Sequence, residues 1–273
     1  MKVAYQGIKG AYSEAAAYRH FGKDAEAIGY DISEEVFEAL EKNKADYALL
    51  PFENSIAGSV AVNYDLLLKH DVQVIAEVFL KIRHCLLANK GSKLNDINKV
   101  YSHPHALEQC GKFIRNHKFE RIPEFDTAGA AKIVQERGEK DEAAIASEFC
   151  AAIYGLDIIE KNIETHGNNM TKFFVIVNKG RAPAGLKKEK TSIAFKTKHY
   201  PGALINCLQR LAKHNINLTK LESRPVPEHN WEYVFYADFE GGIDDENVKL
   251  ALSEMEASSL FLKVLGSYSK GKE

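Results

Sequence analysis

The sequence has no CxxC pair, no apolar run near the ~20 residues needed to span a bilayer, and no surplus of positive charge. Each absence closes a class of function. Its four cysteines, Cys85, Cys110, Cys150 and Cys207, are too scattered for a zinc site or a disulfide framework, and are expected as reduced, mostly buried thiols. A formal net charge of −2 lacks the basic excess of a duplex-binding protein, so no nucleic acid partner is expected. No membrane partner is expected either. The opening residues, Met-Lys-Val-Ala-Tyr-Gln-Gly, read straight into a strand and a glycine loop with no signal-peptide core, and a cytoplasmic protein is expected. Internal repeats and low-complexity segments are also missing.

The chain that remains is 273 residues long, 45% hydrophobic and 27% charged, a balance that suits a soluble globular protein with room for two domains. Up to about residue 178, short apolar runs alternate with helical patterns. Strands are predicted at 2–5, 45–51, 72–80, 99–102, 143–146 and 173–178, and helices beginning near Ser13, Ser33, Val60, Pro104, Ala128 and Glu148. That alternation predicts βαβ units and an open α/β sheet, with ligands beyond the carboxyl ends of the strands. Residues 179–190 hold Gly, Pro and charge without apolar period and read as a linker. A strand at 191–196, helix at 201–214, strands at 217–223 and 231–239, helix at 244–255 and strand at 260–267 then follow, the βαββαβ order of a ferredoxin-like plait.

Several segments could carry chemistry, and each also has a plain structural reading. Gly7-Ile8-Lys9-Gly10-Ala11-Tyr12-Ser13 could present helix N–H groups to an anion, or be an ordinary turn capped by Ser13. Pro51-Phe52-Glu53-Asn54-Ser55, directly after an apolar strand, offers a carboxyl, an amide and a hydroxyl to a polar ligand, or merely caps the next element. In Ser102-His103-Pro104-His105, Pro104 suits a first helical position with Ser102 or His103 as cap. The two histidines would point to different helix faces, which weakens a metal reading. Asp126-Thr127-Ala128 is a second capping pair, and His166–Phe173 is a polar loop running into a strand with Thr171 and Lys172 at its mouth. In the last third, Pro201-Gly202-Ala203-Leu204 opens a helix and Glu222-Ser223-Arg224-Pro225 ends a strand. Together they could hold an amino acid's charged ends, or be a capped helix and a surface ion pair.

Taken in order, these segments resemble the prephenate dehydratase family. The resemblance rests on Gly7…Gly10-Ala11-Tyr12-Ser13, Pro51-Phe52-Glu53-Asn54-Ser55…Gly58, His84-Cys85-Leu86, Ser102-His103-Pro104…Gln109-Cys110, Asp126-Thr127-Ala128, Ala144-Ile145-Ala146-Ser147 and Asn168…Thr171-Lys172-Phe173. Pro201-Gly202-Ala203-Leu204 and Leu221-Glu222-Ser223-Arg224-Pro225 resemble the ACT regulatory domain. It covers about residues 2–268. It implies a two-lobed catalytic domain similar to periplasmic binding proteins over 1–178, with lobe one at 1–78 plus 168–178 and lobe two at 79–167. An ACT domain at 191–268 would follow, in a homodimer or homotetramer that binds phenylalanine between paired ACT domains.

The implied activity is decarboxylative dehydration of prephenate to phenylpyruvate, CO2 and water in phenylalanine biosynthesis, with no metal or other cofactor. Arogenate dehydration and a non-catalytic amino-acid sensor are the alternatives. Thr171 is expected to donate a hydrogen bond to the departing hydroxyl, and Glu53, with its acidity weakened by burial, to supply the proton. Ser13, Asn54, Ser55 and Lys172 are expected to hold the pyruvyl group, Phe173 to wall the ring, and Ser102 and Thr127 to complete the substrate site. Gly202, Ala203, Leu204, Glu222, Ser223, Arg224 and Pro225 are expected to bind the effector. One departure stands out: the family usually has Arg where this chain has Lys172, which keeps the charge but loses the two-pronged carboxylate geometry.

Overall fold

A computed structural model describes residues 1–226 and 232–272. The chain divides into two compact units, residues 1–59 with 79–173, and residues 60–78 with 174–273.

The first unit contains two sheets. One carries β1 (Lys2–Gln6) between β2 (Glu26–Tyr30) and β3 (Tyr47–Asn54), both parallel to it, with β4 (Gly58–Ser59) folding back on β3. Ala48, Leu49, Leu50 and Phe52 make β3 a continuous apolar run, and all are fully buried, as expected of a strand covered on both faces. Helices α1 (Tyr12–Phe21) and α2 (Ser33–Glu41) cover this sheet.

The second sheet has β9 (Glu142–Ala146) at its centre. It is parallel to β7 (Lys99–Ser102), which pairs with β8 (Glu120–Pro123), and antiparallel to β6 (Cys85–Ala88), which pairs with β10 (Asp157–Lys161). Helix α6 (Thr127–Arg137) packs on it through the small side chains of Ala128, Ala130 and Ala131. The Asp126 carboxylate accepts from the Gly129 N–H and starts that helix; His103 Nδ1 does the same for α4 (Pro104–Gln109) and Ser147 Oγ for α7 (Glu148–Tyr154). Cys110 separates α4 from α5 (Gly111–His117), a helix start that the sequence reading did not mark.

In the second unit, β12 (Lys190–Thr197), α8 (Ala203–Lys213), β13 (Leu218–Pro225), β14 (Tyr233–Glu240), α9 (Glu246–Ser258) and β15 (Ser259–Ser269) give the expected βαββαβ order. The strands run β13-β14-β12-β15. The predicted strand at 231–239 begins with Trp231, which lies outside the described residues. Ile193, Phe195, Ala237 and Phe239 face α8 and α9 across a core with Cys207, Leu211, Val248 and Met255.

Two segments of the expected catalytic half pack with the C-terminal strands. Helix α3 (Ala61–Lys69) and the first seven residues of β5 (Val72–Lys81), assigned from the sequence to the catalytic half, group with the C-terminal strands, as does β11 (Met170–Asn178) beyond Phe173. Ion pairs and backbone account for this. Arg224 reaches Asp65 at 2.7 Å and Lys190 reaches Glu77 at 2.8 Å, with both partners of the latter nearly buried. Lys263 donates to the Leu67, Leu68 and His70 carbonyls at the C-terminal end of α3, where a cation suits the helix dipole. β15 pairs in parallel with β5 through Gly266 and Val74.

A Cβ on Gly266 would stand 2.2 Å from the Val74 carbonyl oxygen and 2.7 Å from its Cβ. Gly266→Ala is therefore expected to cost about 1–3 kcal/mol of stability, the range for forcing an extra methyl into packed structure. Calorimetry should show a melting temperature several degrees lower. An unchanged value would mean that this strand pair does not need its close approach.

Candidate active site

β3 delivers Glu53, Asn54 and Ser55 at the carboxyl end of a strand, where open α/β sheets bind ligands. The Asn54 carboxamide is fully engaged. Its Oδ1 accepts from the Ile56 and Ala57 N–H groups at 3.0 and 2.9 Å. Its Nδ2 donates to Asn169 Oδ1 at 2.6 Å and to Thr171 Oγ1 at 2.9 Å. Ser55 is engaged as well: its hydroxyl donates to the Asn168 carbonyl at 3.0 Å and accepts from the Met170 N–H at 2.9 Å. Both residues were expected to touch substrate directly. Instead they brace the 168–171 segment against the end of β3.

That bracing decides what Thr171 can do. Its Oγ1 accepts from Asn54, and its own proton has no acceptor among the described residues. Thr171 is thus left with a hydroxyl free to donate, at 8% exposure.

Successive residues of a strand point to opposite faces. Lys172 therefore projects away from Thr171, and its Nζ lies 2.9 Å from Glu53 Oε2. Two corrections follow. Glu53 is not the buried carboxyl expected: its side chain is 38% exposed and lies beside an ammonium. It also accompanies Lys172 rather than the Thr171 hydroxyl. Lys172, for its part, is committed to a carboxylate of its own chain, so the loss of an arginine fork there does not by itself weaken a grip on substrate.

Other predicted residues fall less favourably. Ser102 is fully buried and donates to the Ile145 carbonyl at 2.6 Å, which makes it a tie between β7 and β9 rather than a ligand. Phe173 is 1% exposed and belongs to the core, so it cannot wall a substrate ring in this conformation. Ser13 does not cap α1; Ala11 holds that position, and Ser13 sits in the first turn with no hydrogen bond to its hydroxyl among the described residues. Thr127 opens α6 with its hydroxyl likewise unpartnered among the described residues. The glycine loop meets the second sheet's helices at Gly10, whose φ is +96° and whose Cβ position is 3.0 Å from Cys150 Sγ and 3.6 Å from Ala128.

The expected effector residues separate into two groups. Gly202, with φ +87°, caps α8, and together with Ala203 and Leu204 it lines a hollow of about 570 Å³ over residues 197–205. Glu222 and Arg224 lie opposite Tyr236 and Val234, whereas Leu221 and Ser223 lie opposite Ala237 and Phe235, on the face that packs against α8 and α9. Cross-strand partners share a face, so Glu222 and Arg224 project away from α8 and its N-terminus. Glu222 pairs with Lys220 at 2.9 Å and Arg224 with Asp65, not with each other. Ser223 and Pro225 are exposed.

Sequence patterns missed a cavity of about 440 Å³ in the first unit. Ile56 and Ala57 form one wall, and His105, Gln109, Lys112, Arg115 and His166 contribute to the rest. Lys112 and Arg115 outweigh the one carboxylate of the lining, Glu108, so the cavity carries net positive charge that suits an anionic molecule. The available signal was the Lys112/Arg115 spacing of three, which puts both on one helix face, but it could not be placed without knowing that a new helix starts at Gly111. The thiols offer no nucleophile: all four are buried, and burial pushes Cys150 up to about 11. Among the described residues, no three His, Cys, Asp or Glu side chains gather as metal ligands, and no helix is long and apolar enough to cross a membrane.

Fold and site together define a class: an α/β unit with hydrogen-bond donors and cations arranged for a small anionic molecule, joined to a βαββαβ domain. The family model described as prephenate dehydratase matches residues 3–181. The chain is 43% identical over 277 residues to arogenate dehydratase/prephenate dehydratase 2, chloroplastic, of Arabidopsis thaliana, covering 98% of this chain and 72% of that one. Among solved structures, a prephenate dehydratase from Arthrobacter aurescens in complex with L-Phe superposes with a TM-score of 0.89 at 28% identity, covering 98% and 90% of the two chains. Another, GqqA, described as a novel type of quorum quenching acylase, gives 0.91 at 32% identity, covering 99% and 98%. The chain belongs to the prephenate dehydratase family. It is a dehydratase, a carbon–oxygen lyase of aromatic amino acid biosynthesis.

Proposed function

We propose that the substrate is prephenate and that the Thr171 hydroxyl assists loss of its ring hydroxyl. The observation that carries this reading is the hydrogen-bond state of Thr171: an oxygen already accepting from Asn54, with its proton unspent. In the reaction the bond from ring to carboxylate breaks, and its electron pair enters the ring. The bond to the hydroxyl breaks in turn, so phenylpyruvate, CO2 and hydroxide form and a proton completes water. Aromatisation drives the step. The protein's task is to stabilise negative charge growing on the departing oxygen, for which one well-placed donor contributes about 3 kcal/mol. Asn54 orients that donor. Lys172 and Glu53 supply a fixed charge pair on the other face of β11. Ser13 and Thr127 are the remaining hydroxyls available to the pyruvyl group. Arogenate, which differs by an amine in place of the keto oxygen, is the second substrate to test, since the Arabidopsis relative is named for both activities.

Thr171→Val keeps the shape and removes the donor. Its kcat for phenylpyruvate formation is expected to fall about 10²–10³-fold with the fold intact, whereas Thr171→Ser retains most activity. Near wild-type turnover by the valine variant would remove Thr171 from the mechanism.

Prephenate carries two carboxylates, and the cavity beside Ala57 carries Lys112 and Arg115. Charge on these residues is expected to act on capture. Replacing both by alanine should raise KM severalfold with kcat little changed, and should flatten the dependence of kcat/KM on salt. If both parameters keep their wild-type salt dependence, the substrate does not use this route.

The C-terminal domain is proposed to bind phenylalanine, with the hollow at Gly202 taking the ligand. The L-Phe complex of the Arthrobacter enzyme supports the choice of effector. Because Glu222 and Arg224 project away from that hollow, their contact with the same ligand would require a second chain, in line with the homodimer or homotetramer proposed from the sequence. Phenylalanine titrated into the full-length protein should bind by calorimetry and change turnover by a factor consistent with a coupling of about 1–3 kcal/mol. Turnover indifferent to millimolar phenylalanine would end the regulatory reading.

A further inference from the structure

Hydrogen bonds run from Thr171 through three carboxamides to a histidine that no part of the mechanism so far employs. Asn54 Nδ2 donates to Asn169 Oδ1 at 2.6 Å, Asn169 Nδ2 donates to Gln109 Oε1 at 2.9 Å, and His84 Nε2 lies 2.8 Å from that same Gln109 oxygen. Asn169 is fully buried and His84 is 2% exposed. The residues come from the end of β3, the turn before β11, helix α4 and the segment before β6, so the chain joins elements of both sheets of the first unit.

The direction of every bond follows from one end. Backbone N–H groups cannot reverse, and those of Ile56 and Ala57 both point at Asn54 Oδ1. The Asn54 NH2 must then face Asn169, which must present its oxygen, which turns the Asn169 NH2 to Gln109, which must present its oxygen in turn. Two donors therefore converge on Gln109 Oε1, and the second must be an N–H on His84 Nε2. On the far side of the ring, the Tyr12 hydroxyl lies 3.2 Å from Nδ1 and 2.6 Å from the Arg83 carbonyl. Its one proton goes to that carbonyl, so the contact with Nδ1 does not choose the tautomer, and the direction set from Gln109 does. Burial lowers the His84 pKa against the opposing pull of the Gln109 bond and the Glu164 charge, which favours the neutral ring. The backbone holds the same residues still: Ile82 N–H donates to the Asn169 carbonyl, Thr165 N–H to the Gln109 carbonyl, and the His84 N–H to Glu164 Oε2.

We propose that His84 is a positioning residue for dehydration. Its Nε2–H fixes the Gln109 amide, and through Asn169 and Asn54 it keeps a donor on Thr171 Oγ1, so that the threonine proton is always the one directed to substrate. A proton on Nδ1 instead would set the Nε2 lone pair against Gln109 Oε1. Relief by rotating the amides would propagate to Asn54 and turn its NH2 toward the Ile56 and Ala57 N–H groups. The threonine would then spend its proton on the Asn54 oxygen. This inference rests on the reading of Thr171 as the donor, and the experiment separates the two.

The test uses the full-length enzyme. First, long-range proton–nitrogen correlation on protein with 15N-labelled imidazoles, with the His84 signal identified by its loss in His84→Gln, is expected to show a neutral ring protonated at Nε2. A ring protonated at Nδ1 overturns the proposal whatever the kinetics. Second, His84→Phe, which fills the space without a donor, is expected to lower kcat about 10- to 100-fold with KM within about twofold, the scale on which small misplacements of a catalytic group act. His84→Gln, which can return an N–H to Gln109, is expected to recover most of that loss. A folded phenylalanine variant with wild-type kcat, or a glutamine variant as slow as it, overturns the proposal. Should His84→Phe fail to fold, the ring tautomer alone decides. Turnover of prephenate at the wild-type rate by the Thr171→Val variant would instead overturn the reading of Thr171, and with it the purpose of the relay, even where the Nε2–H is observed.

Discussion

A carboxamide held at the end of an apolar strand has two lone-pair sites and two protons to satisfy, and Asn54 satisfies all four within its own chain. Leaving one unpaired would cost on the order of 1–3 kcal/mol, so the local structure is strongly constrained to this arrangement. Much of the site depends on that saturation. It folds residues 56 and 57 back over the strand end, ties in the 168–171 segment, and determines that Thr171 accepts and is left free to donate. Aspartate at this position would keep the acceptor half and lose the donor half, which is the half that specifies the threonine.

The neighbouring pair works by a different physics. Lys172 and Glu53 sit one residue along from Thr171 and Asn54 on adjacent strands, so the alternation of the strand sends charge to one face and hydrogen-bond polarity to the other. Lysine in place of the family's usual arginine is tolerable here because the partner is an in-chain carboxylate reached by a single Nζ at 2.9 Å. A two-pronged fork matters where both oxygens of a planar carboxylate must be read at once, whereas one ammonium suffices for this ion pair.

Periodicity made much of the architecture legible and chemistry made less of the site so. The buried strands β3, β9, β11, β12 and β14 announce themselves because apolar runs survive where a strand is covered. β2, β4, β6, β8 and β10 were missed: β2, β8 and β10 lie at sheet edges and carry charged or glycine residues, β4 is two residues long, and β6, although buried and apolar, has only four residues to show a pattern. That residues 60–78 pack with the C-terminal strands was not legible for a related reason, since the apolar face of α3 does not say which element it will meet. Asp65, Glu77 and the carbonyls received by Lys263 settle it, and ion pairs across more than a hundred residues leave no local trace. Site residues were found by type and order, but Ser102 and Phe173 show the limit of that route. A hydroxyl donating to Ile145 and a ring in the core carry the same letters as groups that bind substrate.

The pattern of errors bears on how the chemistry is distributed. Asn54 and Ser55, first assigned to direct contact, hydrogen-bond to other protein groups, while among the described residues Thr171, Ser13 and Thr127 keep a hydroxyl proton without an acceptor and Lys112 and Arg115 line the cavity. For a reaction whose driving force is aromatisation, that economy is physically reasonable. A nucleophile or strong acid would have to be held in an unfavourable protonation state, and buried thiols such as Cys150, pushed up to about 11, are not so held. What the reaction needs is one donor whose orientation does not fluctuate as charge arrives. Orientation is fixed more reliably by saturated amides in a dry interior than by mobile charges in water, because each flipped amide would strand a partner at the next.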